Sequence, residues 1–180
     1  MSSVPPPTYE QIMALFLETR EQMKNTDRQV KRTSKAVGAL TSRIGRIIEN
    51  MVGGDIVTQF QSLGYTVTKS GRNVKFGNER LPRGEIDLFL ENGDVAILIE
   101  VKTTLETKDV RNHVERMEKY RSYAEATNGD KRRFLGAVAG AIVEGDAEKF
   151  AHENGLFVII QSGKAVEIVT PPEGFVAKEW

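Results

Sequence analysis

The chain has 180 residues, room for one ordinary domain with a real core plus an appendage. Apolar content of 39% and charged content of 28% are those of a globular protein. Lys+Arg and Asp+Glu each total 25, which argues against holding DNA by bulk charge and leaves any nucleic-acid role to local basic patches. The absence of cysteine excludes disulfides and thiolate metal sites. No run approaches the ~20 apolar residues of a membrane span. The first residues, through Pro5-Pro6-Pro7, lack a basic-then-apolar signal pattern, so a cytoplasmic protein is expected.

The prolines cannot lie inside a helix, and Thr8 with Gln11 forms a capping-box pattern immediately after them. A repeat of seven then runs to about Met51. Tyr9, Phe16, Met23, Val30, Val37, Ile44 and Met51 share one position; Ile12, Thr19, Thr26, Thr33, Leu40 and Ile47 fall three residues later. A strict seven-residue period predicts a left-handed coiled coil, here an arm over residues 1–43 roughly 60 Å long. Three threonines weaken the middle of this seam, and Gly38 and Gly45 each cost on the order of 1 kcal/mol relative to Ala. Two readings stand: a helix folded back on its own domain, or self-association, most simply as a dimer. The second is favoured, because a polar-faced helix of this length has little else to bury its stripe against.

Residues 44–180 read as an α/β domain. The helix continues to about Leu63 and stops at Gly64. Strand-like segments are expected at Tyr65–Thr68, Gly84–Glu91 and Asp94–Thr103, the last two joined by Asn92-Gly93, a strong signal of a tight two-residue turn. A helix follows at Lys108–Ala126. Phe134–Val143 is an apolar run, a buried strand or a helix on its small residues. Asp146 can cap a short helix ending at Asn154-Gly155, ahead of a strand at Leu156–Gln161 and a possible edge strand at Val166–Val169.

The turn at Asn92-Gly93 pairs Leu90 with Val95, Leu88 with Ile97 and Ile86 with Ile99. One face of this hairpin is then wholly aliphatic: Ile86, Leu88, Leu90, Val95, Ile97, Ile99 and Val101. The other carries Glu85, Asp87, Phe89, Ala96, Leu98, Glu100 and Lys102, gathering three carboxylates and a lysine at one end. Such a cluster is costly unless it serves a purpose, since like charges repel and burial raises carboxylate pKa values. A hard divalent cation, Mg²⁺ or Mn²⁺, relieves the repulsion, and Lys102 can then orient or deprotonate a water for phosphodiester hydrolysis. The bland reading is a salt-bridge cluster at a sheet end.

Gly84-Glu85-Ile86-Asp87-Leu88, a short hairpin, and Ile99-Glu100-Val101-Lys102 resemble the signature of the PD-(D/E)XK nuclease superfamily, which includes restriction endonucleases, archaeal Holliday-junction resolvases and RecB-type nucleases. The resemblance covers roughly residues 43–161. It implies a restriction-endonuclease-like αβββαβ core with a mixed central sheet, and metal-dependent cleavage of DNA. By the same resemblance Asp87 and Glu100 bind metal, Lys102 serves the attacking water, and Glu49, on the preceding helix, completes the site. That helix is expected to cover Phe89, Ala96 and Leu98. The proline that precedes the aspartate in the family motif is absent, and Arg116 with Tyr120 stands where the RecB branch has Gln and Tyr. Arg72, Lys75, Arg80 and Arg83, expected in a loop before Glu85, are candidate DNA-phosphate contacts. Glu85 is a spare ligand or a counter-ion for Arg83. His113 and His152 are expected on exposed helix faces, and Trp180 packed on the domain. The alternative functions are a catalytically inactive nuclease-fold module that binds nucleic acid, and a coiled-coil scaffold with a docking head.

Overall fold

The computed structural model describes residue 6 and residues 8–163 and 165–180, without the side chains of Leu40, Thr41, Arg43, Ile44, Ile47, Met51, Asp55 and Asn128. The heptad assignments of Leu40, Ile44, Ile47 and Met51, and the structure of Pro5 and Pro7, lie outside the described residues. Helix α1 spans Tyr9–Ser62. The chain divides into two compact units, Met1–Arg43 and Ile44–Trp180.

In the first unit α1 opens on the expected capping box. Thr8 N–H donates to Gln11 Oε1 at 2.9 Å, and Gln11 N–H donates to Thr8 Oγ1 at 3.3 Å. Tyr9, Phe16, Met23 and Val30 are all exposed, as are Ile12, Met13, Leu15 and Leu17. Two of the three seam threonines turn their hydroxyls back on their own helix: Thr19 Oγ1 donates to Leu15 O at 2.7 Å and Thr26 Oγ1 to Gln22 O at 3.0 Å. With the hydroxyl satisfied within the helix, each contributes a methyl group to the stripe and carries no unmet polar demand there.

The second unit is a six-stranded mixed sheet in the order β1-β2-β3-β4-β5-β6. The strands are β1 (Lys69–Phe76), β2 (Gly84–Glu91), β3 (Val95–Leu105), β4 (Arg133–Val143), β5 (Phe157–Ser162) and β6 (Ala165–Ile168), with α2 (Thr107–Asn128) and α3 (Ala147–Glu153) between them. β1, β2 and β3 are antiparallel neighbours; β3, β4 and β5 run parallel; β6 closes the edge antiparallel. Helix, three strands, helix, strand, helix, strand is the α/β order that the sequence predicts, and Phe134–Val143 is a strand. No helix among the described residues is long and apolar enough to cross a membrane.

Two apolar layers sandwich the sheet. The last turns of α1 bury Ile48, Val52, Ile56 and Phe60 against Leu88, Leu90, Ile97, Ile99 and Val101. On the other side α2 buries Met117, Tyr120 and Ala124 against Phe89, Ala96, Leu98 and Phe134. The helix carrying Glu49 therefore covers the aliphatic face, while the Phe89–Leu98 face, expected to receive it, belongs to α2. The reason is geometric: in parallel β3-α2-β4 the crossover helix must lie on one face, and α1 takes the other.

Three local expectations are corrected. The β2–β3 register is Leu88↔Ile99, Phe89↔Leu98, Leu90↔Ile97 and Glu91↔Ala96, two residues away from the expected pairing. Asn92 causes the shift, because its Oδ1 accepts the N–H groups of Asp94 and Val95, each at 2.8 Å, and holds a wider turn. A slip of two preserves which side chains share a face. β1 begins at Lys69 where Tyr65–Thr68 was expected, so Arg72 and Lys75 lie on a strand, leaving only Arg80 and Arg83 in the loop. Ile86 is buried with Phe76 and Phe89 and does not join the aliphatic face. The change of layer occurs beside Asn73, whose φ of 50° bends β1 between the pairs Arg72↔Leu88 and Val74↔Ile86.

Candidate active site

Asp87 and Glu100 are brought together where β2 and β3 part. Regular pairing ends at Leu88↔Ile99, and beyond it the Val101 N–H is taken by Asp87 Oδ2 at 2.8 Å. The carboxylate thus replaces a missing strand carbonyl, which fixes its rotamer at the mouth of the fork. No hydrogen bond to Asp87 Oδ1 is found among the described residues.

Glu100 is 3% exposed, one of two buried polar or charged residues among those described. An unpaired buried carboxylate is strongly disfavoured, and Glu100 has two cations: Lys102 Nζ bonds its Oε1 and Arg116 Nη1, from α2, bonds its Oε2. Lys102 follows from strand alternation, two residues along the same face. Its side chain is 36% exposed, so the ammonium stands between the buried carboxylate and solvent.

Glu49 approaches from α1, on the opposite side of the sheet from Arg116. Its pKa is raised, first by partial burial and then by the negative charge of Asp87, with Glu85 adding to the effect and Arg72 and Arg46 opposing it. Arg72 is tied to this helix, where Nη1 bonds Asn50 Oδ1 and the guanidinium fills the space that a side chain at Gly53 would need. Lys75 and Arg80 are exposed. Arg83 donates from Nε to Asn78 O at 2.9 Å, and no ion pair with Glu85 is found among the described residues. Asn78 Oδ1 also accepts the N–H groups of Arg80 and Leu81, which shapes the loop.

Among the described residues no three acidic or imidazole groups stand together as a ready-made metal cage. The donor set still suits one cation class. Mg²⁺ retains several waters and is commonly held through only one or two carboxylates, so the pair Asp87 and Glu100 is of the right chemistry for it, although both Glu100 oxygens have cationic partners.

No protein-family model matches the chain, and no curated protein is significantly similar to it. Among solved structures it is similar to a repair endonuclease from Pyrococcus abyssi, with 15% identity and a TM-score of 0.41 over 69% of this chain and 47% of that one. It is also similar to AF1548, a protein of unknown function, with 16% identity and a TM-score of 0.42 over 71% of this chain and 62% of the other. The chain thus spans about half the length of the first and about three fifths of the second.

Sequence reasoning missed two residues of the site. The sequence marks Arg116 only by its place in a motif, yet it is the second counter-ion of Glu100. His113 is fully buried, against the expectation of an exposed face, with Nε2 3.0 Å from Leu98 O and Nδ1 without a partner. Burial lowers its pKa to about 4, against the hydrogen bond to Leu98 and the charge of Asp87. The spacing Val110, His113, Met117, Tyr120, Ala124 puts it on the apolar stripe of α2, a signal present in the sequence. His152 is also only partly exposed, with its ring against Phe175. Trp180 packs on the domain as expected.

Proposed function

We propose that this chain is a metal-dependent nuclease that hydrolyses phosphodiester bonds in DNA and self-associates through its N-terminal helix. The observation that carries the reading is the convergence of Asp87, Glu100 and Lys102 at the β2–β3 fork. Asp87 and Glu100 would hold Mg²⁺ or Mn²⁺, with Glu49 close enough to tune the site. When bound, the cation supplies Lewis-acid stabilisation of charge on the phosphoryl oxygens. Lys102, half in solvent beside Glu100, orients the attacking water. The exposed Lys75 and Arg80, with Arg72 and Arg83 nearby in sequence, offer positive charge to the phosphate backbone.

The test is a cleavage panel of duplex, single-stranded and branched DNA, with Mg²⁺, with Mn²⁺ and with chelator. Metal-dependent cleavage of at least one substrate, lost in Lys102→Ala, is expected. A panel with no cleavage under any condition would overturn the reading.

One observation favours a second reading, a non-catalytic nucleic-acid module. Both carboxylate oxygens of Glu100 are already satisfied by cations. That reading predicts no uptake of Mg²⁺ or Mn²⁺ in calorimetry, whereas the nuclease predicts binding.

A further inference from the structure

Each oxygen of Glu100 already has a cationic partner. Lys102 holds one and Arg116 the other, and the carboxylate is buried, so solvent cannot take over either bond cheaply. Each oxygen keeps a second lone pair, but any cation that shares Glu100 with Asp87 competes with these two partners for the same negative charge. Lys102 comes from the same strand, two residues away, and turns with Glu100. Arg116 comes from another element, α2, and its side chain is 26% exposed against 36% for Lys102, so its separate origin and not its exposure sets it apart.

We infer that Arg116 is a displaceable counter-ion: it neutralises Glu100 in the metal-free protein and, when a divalent cation takes that carboxylate, turns to a phosphate of the bound nucleic acid. The inference rests on the nuclease reading and adds a coupling between its two ligands. A guanidinium forks onto carboxylate and phosphate with the same planar geometry, so it exchanges one for the other without loss of hydrogen-bond fit. Free in the cleft without a phosphate, it would remain a competitor for Glu100. Metal therefore strengthens nucleic-acid binding, and nucleic acid strengthens metal binding by the same factor, as linkage requires.

This role differs from that of a structural salt bridge in the sign of one effect. A structural bridge, once broken, leaves a misplaced carboxylate and weaker metal binding. A competitor, once removed, leaves tighter metal binding. Mn²⁺ titration of the full chain by calorimetry should show Arg116→Ala binding the ion several-fold more tightly than wild type, with Arg116→Lys close to wild type. Arg116→Gln, which keeps a hydrogen-bond donor without the charge, should behave like Arg116→Ala and covers the case in which alanine unfolds the helix. Fluorescence anisotropy with a labelled duplex and its single strand, in Ca²⁺ against chelator, reads the other side of the coupling. The wild-type gain should be about tenfold, within the usual range for coupled sites, and should disappear in both uncharged variants.

Wild-type protein that binds Mn²⁺ and cleaves DNA, alongside uncharged variants with equal or weaker Mn²⁺ affinity, would overturn the counter-ion role and leave the nuclease reading intact. An equal Ca²⁺-dependent gain in variants and wild type, or no gain in wild type, would overturn the transfer to phosphate. Wild-type protein that takes up no metal would overturn both readings.

Discussion

The Asp87 carboxylate accepts the backbone N–H of Val101 at 2.8 Å, closing the fork between β2 and β3 with a side chain where a strand carbonyl would otherwise pair. Asp87 therefore has a structural duty besides its proposed chemical one, and the two are separable. Asp87→Asn keeps an oxygen for Val101 and removes the charge. It should melt like wild type and lose metal-dependent cleavage. Asp87→Ala strands a buried N–H and should in addition lose about 1–3 kcal/mol of stability in urea titration. Wild-type cleavage by a folded Asp87→Asn variant would remove Asp87 from the site.

Glu49 has a raised pKa through burial and the nearby charge of Asp87. Folding thus favours its protonated form, and the stability that this contributes is lost as pH rises from the ordinary value of 4.5 through the raised one. Glu49→Gln should flatten that part of the stability–pH curve. It should also weaken Mg²⁺ binding several-fold if the carboxylate helps attract the cation. An unchanged metal titration would leave Glu49 with a purely local electrostatic role.

His113 provides a pH effect of opposite sign. Its Nε2–H points to the Leu98 carbonyl, and a proton added at Nδ1 would have no acceptor in the apolar layer beneath α2. With a folded pKa of about 4 against 6.5 unfolded, the unfolded chain binds the extra proton first. Stability should fall as pH drops from 6.5 to 4, by roughly 3 kcal/mol at ~1.4 kcal/mol per pKa unit. Chemical denaturation across that range would measure it, and His113→Gln should flatten the slope. A wild-type curve level over that range would show that the ring is solvated.

The parts of this fold legible in the sequence are those governed by period. Alternation along Gly84–Glu91 and Val95–Leu105 gives the two faces of the hairpin from Leu88 onward even though the register is displaced by two, because parity survives such a slip; only Ile86 changes layer. For the same reason the slip leaves Asp87, Glu100 and Lys102 near one another at the open end of the hairpin. What stayed hidden depends on particular side-chain bonds. Asn92 folding onto Asp94 and Val95 sets the turn, and Asn73 with positive φ interrupts the alternation of β1, whose residues Lys69–Phe76 are mostly exposed and give no apolar signal. Arg116 could not be placed because a helical pattern marks a flank residue as polar without naming the carboxylate across from it.

The arm carries the last prediction. Tyr9, Phe16, Met23 and Val30 recur every seven residues and are all exposed, and two of the threonines that alternate with them, Thr19 and Thr26, have their hydroxyls bonded to their own helix at Leu15 and Gln22. Such a stripe meets a second copy of itself with the Thr19 and Thr26 hydroxyls already satisfied, so self-association is expected, most simply as a dimer. Replacing Phe16 and Met23 with Gln removes apolar area from the seam while keeping good helix formers. At ~25 cal/mol per Å² of buried apolar surface, two large side chains in each partner contribute several kcal/mol. That loss is enough to shift a modest dimer to monomer at micromolar concentration. The core of the second unit draws on Ile48, Val52, Ile56 and Phe60 with the sheet, so the double variant should keep its melting behaviour at high concentration. Sedimentation equilibrium of the full chain and the double variant decides the matter. A wild-type chain that remains monomeric at every concentration would mean that the stripe serves no self-pairing.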